Sequence, residues 1–322
     1  MRPQIRSYML SRRNIRIKVL QQLYAFQQQD AKSVPVFQKV LEKQFNEYYK
    51  FYYFNLQFLM DFNAFLESER EIETEKYFPN KNQIRNSEVL TRLDFFKALS
   101  VNQQFEEVCG KLPYDWKRHG DLFNRIFIDL VQYDFFTDFN VFDEPTADVQ
   151  KEFLTNLYEF LFNEFDLFGQ TMEDEYIFWD DDSADILKAV IGTINTYYDR
   201  QKLKIETVND KQLEDIQFGL SLFENCIVNK ESLDKVIHEN TSNWDAERLT
   251  VNDIIMLRMA LSEFLYFETI PPKVSINEYL DIAKSYSTPK SHLFLNGVLD
   301  KIRITLSQNG LINKTGRGLK NE

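Results

Sequence analysis

Glycine and proline are scarce in this 322-residue chain, at nine and eight residues, and cysteine occurs only twice. So few breakers argue against a sheet of many short strands, and the runs rich in Leu, Glu, Lys, Gln and Phe favour helices. Cys109 and Cys226 are too few for a disulfide framework or a zinc cluster, and the three histidines, His119, His238 and His292, are scattered. There is no apolar run of the roughly 18 residues that a membrane helix needs. The N-terminus is cationic but lacks the apolar stretch of a signal peptide. No GxxxxGK[ST] loop, no GxGxxG after a strand, no HExxH and no GxSxG occurs. The expectation is an all-α protein of a reducing compartment, the cytoplasm, with no cofactor and no metal and with no motif that points to catalysis.

Charge is plentiful but segregated. The formal net charge is −12, yet residues 1–20 contain Arg2, Arg6, Arg12, Arg13, Arg16 and Lys18 and no acid. Residues 129–185 carry seventeen Asp or Glu and a single base, Lys151. The tail from Gly310 is basic again, with Lys314, Arg317 and Lys320. Such asymmetry points the basic parts towards a polyanion, with plain solvated surface as the alternative.

Periodicity predicts a helix over Ser11–Gln29, with Ile15, Val19, Leu23 and Phe26 inward, Ile17, Leu20 and Tyr24 beside them, and Asn14, Lys18 and Gln21 on the polar face. Its arginines crowd the first turn, where the helix dipole is already positive, so an anionic partner would relieve them. Residues 31–205 hold 23 of the 29 phenylalanines. Val36–Ser68 reads as one long helix, 71–86 as a loop, and helices are expected at 87–100, 105–108, 122–137, 148–165 and 185–200. The acids between them suit exposed helix faces around an aromatic core better than a catalytic carboxylate pair. Helices follow at Lys211–Cys226, with Leu213 inward, and from a Ser232 cap to His238.

The stretch Asn243–Lys301 is the best punctuated. Thr250 and Asn252 are candidate caps for a helix reaching Phe267, which Ile270-Pro271-Pro272 ends. Ser275-Ile276-Asn277-Glu278 has the form of a capping box opening the next helix. The last helix, from about Lys290 to Ser307, buries Leu295, Val298, Leu299, Ile302 and Leu306. At 100° per residue, Lys290, Phe294, Gly297 and Lys301 share its flank. Two cations bracketing an aromatic ring suit phosphates and a base, as single-stranded nucleic acid requires. The plainer reading makes Phe294 the edge of a core with ordinary surface lysines beside it.

Residues Asp253-Ile254-Ile255-Met256-Leu257-Arg258-Met259-Ala260-Leu261-Ser262-Glu263, Val274-Ser275-Ile276-Asn277-Glu278, Ala283-Lys284 and above all Ser291-His292-Leu293-Phe294-Leu295-Asn296-Gly297-Val298-Leu299-Asp300-Lys301 resemble the bacterial NusB antitermination factors. Ser11-Arg12-Arg13, Arg16 and Gln21-Gln22-Leu23-Tyr24-Ala25-Phe26 resemble that family's arginine-rich first helix, and Lys211–Glu239 its middle helices more loosely. The resemblance covers about 1–30 and 210–308. It implies an all-helical fold of two small bundles that binds the boxA element of ribosomal RNA leaders together with the small-subunit ribosomal protein NusE. The complex alters RNA polymerase so that it reads through terminators. On this resemblance Arg12, Arg13 and Arg16 are expected on RNA phosphates. Lys290, Ser291, Phe294 and Lys301 are expected at the RNA, and Asp253 towards NusE. Lys290 stands where the family often has an acid, which favours RNA, and Asp253 is shorter than the expected glutamate.

The implied layout is a first NusB-like helix with a basic arm at 1–30, an aromatic and acidic helical insert or expanded first half at 31–205, a NusB-like core at 206–308 and a flexible basic tail at 309–322. Expected partners are boxA-containing RNA, NusE and the RNA polymerase antitermination complex, with no membrane and no DNA. Two other readings stand beside it. One is a protein scaffold in polymerase or ribosome assembly without RNA binding. The other is the NusB-like domain of an RNA methyltransferase, although no Rossmann fingerprint or catalytic cysteine motif occurs in the sequence.

Overall fold

The computed structural model describes residues 10–29, 33–205, 210–241 and 250–319. The basic arm with Arg2 and Arg6, the start of the punctuated stretch including Trp244, and Lys320 lie outside the described residues. The described chain is helical, without strands. In order the helices are α1 (Arg12–Gln28), α2 (Val34–Thr74), α3 (Lys81–Ser87), α4 (Asp94–Ser100), α5 (Gln103–Cys109), α6 (Gly120–Leu130), α7 (Asp134–Asn140) and α8 (Ala147–Asn163). There follow α9 (Asp166–Glu175), α10 (Trp179–Arg200), α11 (Asp210–Val228), α12 (Lys230–Thr241), α13 (Val251–Tyr266), α14 (Pro272–Tyr286) and α15 (Ser291–Gln308). Two units divide them. Residues 10–46 and 210–319 form one, and residues 47–205 form the other.

In the first unit α13 is the hub. Helices α1, α11, α12, α14 and α15 all pack on it. Its sequence explains the position: Ile255, Met256, Leu257, Met259, Ala260, Leu261 and Phe264 are all buried, so apolar residues cover most of its circumference. Thr250 caps its start, accepting from the Asp253 N–H while Asp253 accepts from the Thr250 N–H, a reciprocal capping box. Gly219 of α11 permits a close approach. A Cβ there would lie 2.6 Å from Ile15 Cγ2 and 2.8 Å from Phe45 Cζ.

The second unit has an aromatic interior. Trp116 is fully buried, stacks on Phe54 with ring centroids 4.3 Å apart, and donates its indole N–H to the Phe54 carbonyl at 2.8 Å. Phe58, Phe123 and Phe168 close around the same indole. Tyr52 and Tyr158 are buried with their hydroxyls bonded to Thr193 and the Asn55 carbonyl, so the polar tips are satisfied inside the apolar layer.

Several boundaries differ from the sequence expectations for local reasons. Residues 33–46, expected with the insert, belong to the unit of α1 and α11, where Phe37 packs edge-on against Phe26 and stacks with Phe223. The loop expected at 71–86 is shorter: α2 continues to Thr74, and Asn80 caps α3 through the Asn82 and Gln83 N–H groups. The helix expected at 122–137 is two, α6 and α7, broken at 131–133. Helix α12 begins at Lys230, and the Ser232 hydroxyl donates to the Asn229 carbonyl, so it is not the cap. Pro272 opens α14 at the first helical position, where the missing N–H costs nothing, so Ser275 and Glu278 do not form its capping box. On α1 the buried stripe is rotated: Asn14 and Lys18 are buried and Tyr24 is 44% exposed. Leu213 of α11, expected inward, is exposed.

Candidate nucleic-acid interface

Arg12 and Arg13 sit in the first turn of α1, whose N-cap is Ser11. Both guanidinium groups reach solvent, yet both are held by carboxylates. Arg12 Nε donates to Asp215 Oδ1 on α11 at 2.8 Å, and its guanidinium lies 4.9 Å from the Phe218 ring centroid. Arg13 donates to both oxygens of Glu278 at 3.0 Å and to Asp281 Oδ2 at 2.9 Å, both acids being on α14. The hydrogen bonds that Arg13 donates to Glu278, and then the charges of Glu278 and Asp281, outweigh partial burial and raise the Arg13 pKa. Asp281 is lowered, first by its hydrogen bond from Lys284 and then by the charges of Lys284 and Arg13.

Arg16 corrects the expectation of a third phosphate contact. Its side chain is 3% exposed, and Nε and Nη2 donate to the two oxygens of Glu263 at 2.7 and 2.9 Å. Glu263 is fully buried and also accepts from the hydroxyls of Ser275 and Tyr279. Burial alone would raise the Glu263 pKa, but the Arg16 charge and the hydrogen bonds of Arg16, Ser275 and Tyr279 prevail and hold it below the usual range. A guanidinium committed this way fastens α1 to α13 and has no face left for RNA.

Asp253 and Ser291 are corrected in the same sense. Asp253 is 1% exposed. Its carboxylate accepts from the Thr250 N–H at 3.1 Å, the Ser287 hydroxyl at 2.7 Å and the Ser291 hydroxyl at 3.1 Å. Ser291, 4% exposed, is also bonded to Ser287 and Thr288. These groups knot the start of α13 to the turn between α14 and α15. Asp253 offers no exposed carboxylate to a partner protein, and Ser291 no free hydroxyl to RNA.

The α15 flank keeps its expected face. Lys290 is exposed at the N-cap, Phe294 is half-buried, and Gly297 and Lys301 are exposed. Leu295, Val298, Leu299, Ile302 and Leu306 form the adjacent, buried stripe. Lys301 donates from Nζ to the Asn240 carbonyl at 3.0 Å in the last turn of α12, where a cation complements the helix dipole. The expected flexible tail is anchored in part. Lys314 Nζ donates to the Glu263 and Phe267 carbonyls at 2.9 Å each, and the Thr315 N–H to the Glu268 carbonyl at 3.0 Å.

Sequence reasoning missed the acids that hold the arginines. Glu278 and Asp281 recur three residues apart on one face of α14, a spacing that could have marked them as a paired anion site. Nothing local marks Asp215 or Glu263, whose partners lie 203 and 247 residues away.

Among the described residues no group of His, Cys, Asp and Glu could hold a metal ion, and no helix is long and apolar enough to cross a membrane. The class defined by these elements is an all-helical protein whose C-terminal unit is assembled on one buried helix and presents a cationic, aromatic flank on the last. A family model described as the NusB family matches residues 183–303, from within α10 almost to the end of α15. The transcription antitermination protein NusB of Bacillus cereus is 39% identical over 105 residues, which is 33% of this chain and 81% of that protein. The proteins of the same name from Salinibacter ruber and Chloroherpeton thalassium are 46% and 39% identical over 102 and 114 residues. Those alignments cover 64% and 53% of the relatives' lengths and about a third of this chain. No solved structure matches. The chain belongs to the NusB family, and it is longer than a typical member, with a helical, aromatic-cored unit at 47–205.

Proposed function

We propose that this protein is an RNA-binding transcription antitermination factor of ribosomal RNA operons, binding boxA RNA together with the ribosomal protein NusE within the RNA polymerase antitermination complex. On this reading it is a binding protein and not an enzyme, and it works in the cytoplasm. One observation carries the reading: exposed Lys290 and Lys301 flank half-buried Phe294 on α15, inside the family-matched residues, while Leu295, Val298, Leu299, Ile302 and Leu306 of the same helix are committed to the core. The lysines supply phosphate contacts and the ring a stacking surface. Arg12 and Arg13 supply further cations from α1 once RNA phosphates replace their carboxylates. Asp253 and Ser291 act at one remove, by fixing the turn from which α15 starts.

The test is a mobility shift of a boxA oligonucleotide with and without NusE. Phe294→Ala is expected to weaken binding by about 1–3 kcal/mol, the range for loss of one base stack. Equal affinities of wild type and variant, with NusE present, would remove Phe294 from the site.

A second reading has its own support. Both exposed arginines are already paired with acids, as they would be on a protein scaffold that no longer binds RNA. Failure of the wild-type chain to shift boxA RNA in the presence of NusE would select the scaffold.

A further inference from the structure

Helices α7 and α8 each turn one face towards the other. Phe135, Asp138 and Phe139 share one face of α7 at the i, i+3, i+4 spacing, Phe142 follows just past the helix end, and Glu152, Phe153 and Asn156 of α8 oppose them. Between them lies a cavity of about 250 Å³. Phe139 and Phe153 form its buried wall, stacked with centroids 4.2 Å apart, and Phe135 stands 6.0 Å from Phe153. Phe142, 43% exposed, stands at the mouth. Asp138 and Glu152 are exposed, and no base is among the lining residues.

Size, lining and charge narrow the occupant. The volume falls below the roughly 300–1,000 Å³ of pockets that enclose a small-molecule ligand, and suits one long side chain. Phenyl faces attract cations through their quadrupole. This wall already does so within the chain: the Arg92 guanidinium lies 5.4 Å from the Phe139 centroid and donates to the Phe142 carbonyl at 2.7 Å. The other nearby cation, Arg85, is paired with Asp143 at 2.7 Å. A lysine or arginine stem would lie along the rings while its charge met Asp138 and Glu152 at the rim. Beyond Arg92 and Arg85, the stretch of sequence that carries the pocket, 129–185, holds seventeen acids against Lys151 alone, a balance that favours a basic segment over a phosphate.

We propose that the α7–α8 cavity is a docking pocket for a lysine or arginine side chain on a basic segment of a partner protein. This surface lies outside the family-matched residues and does not depend on the RNA reading.

The test uses the full chain and a fluorescein-labelled nonapeptide of lysine, followed by anisotropy at moderate salt, with a glutamate nonapeptide and an oligouridine RNA of matched length as alternative probes. Asp138→Asn with Glu152→Gln, both nearly isosteric changes at exposed positions, is expected to weaken the lysine peptide at least about tenfold. Phe142→Ala leaves the charge unchanged and is expected to weaken it about threefold or more through loss of the cation–ring contact. Glu173→Gln with Asp174→Asn removes the same charge from exposed positions elsewhere in the unit and is expected to change binding by less than about twofold. Unchanged thermal melts of the variants show that the fold is retained. Equal weakening by the control pair, or no effect of Phe142→Ala, would reduce the attraction to diffuse charge and overturn the pocket. So would binding of either alternative probe that the Asp138/Glu152 variant abolishes. Self-association lost in that variant would assign the cavity to a second copy of this chain and overturn the partner assignment.

Discussion

Arg16 and Glu263 form a two-bonded ion pair sealed between α1 and α13, with 3% and 0% of their side chains exposed. The pair is 247 residues apart in sequence and joins the two segments, 10–46 and 210–319, that make up one unit. Ser275 and Tyr279 complete the carboxylate, so all four side chains fix α1, α13 and α14 together. Phe218 and Tyr279 flank the guanidinium with centroids 5.3 and 5.8 Å away.

Breaking this pair from one side leaves the other charge buried and uncompensated. Arg16→Ala is therefore expected to cost about 3–5 kcal/mol, measured by urea unfolding near neutral pH. The pH dependence has a definite sign. The folded Glu263 pKa is depressed, so its contribution is present above the unfolded carboxyl value and is lost as pH falls through the folded value. The difference between wild type and Arg16→Ala should thus narrow in acid. A constant difference from neutral pH down to about pH 3 would show that the pair does not titrate with folding.

Arg13 leads to a different expectation. Its guanidinium is exposed but spans Glu278 and Asp281, so a phosphate has to displace carboxylates before it gains the contact. If the RNA reading holds, Glu278→Gln is expected to tighten RNA binding about two- to fivefold, in keeping with the modest worth of an exposed pair. The dependence of binding on salt should also steepen, by up to about one ion, because an unpaired arginine has a counterion to release. Filter binding across a salt series reads both. Unchanged affinity and slope would place Arg13 away from the nucleic acid.

What was legible in the sequence followed from local rules. The Thr250 cap and the two-faced α15 depend on residues within a turn or two of one another, and both are present, whereas α13 ends at Tyr266, ahead of the prolines, which instead open α14. The polar partners were not legible, because their pairing is decided by packing between distant segments. Arg16 and Asp253 read as surface charges by residue type, yet Glu263 and the serines around Asp253 draw them inside. The α6–α7 break was hidden by continuous aromatic periodicity across 122–137, where Tyr133 and Phe135 look as helical as their neighbours. The unit at 47–205 announced its aromatic content but not its connections, since almost every helix there offers a phenylalanine that could fill any of several places.

Gly219 tests the packing of the C-terminal unit without touching charge. A methyl group at this position meets Ile15 Cγ2 at 2.6 Å, and the branched isoleucine cannot swing its Cγ2 away without leaving its rotamer. Phe45 Cζ at 2.8 Å is the more yielding neighbour. Gly219→Ala is expected to destabilise by about 1–3 kcal/mol despite alanine's better helix propensity. Pairing it with Ile15→Ala should recover part of the loss if the clash is the cause. Thermal or urea melts of the two single variants and the double variant complete the cycle, and strictly additive losses would assign the effect to the helix itself.

Lys314 shows how the C-terminal segment is fastened. Its ammonium bridges the Glu263 and Phe267 carbonyls at the end of α13, where the dipole favours a cation. Burial nonetheless prevails over the attraction of Glu263 and Glu268 and lowers its pKa from 10.5 to about 8. Between those two values the folded chain binds fewer protons than the unfolded one, so this lysine makes stability rise with pH across that window. Lys314→Met is expected to flatten that rise while leaving the acid side of the stability profile unchanged. The direct check is the rate of Lys314 acylation against pH, read by peptide mass spectrometry. A midpoint near 8 is expected, and a midpoint at the ordinary lysine value of 10.5 would mean that the ammonium is not docked on α13 in solution.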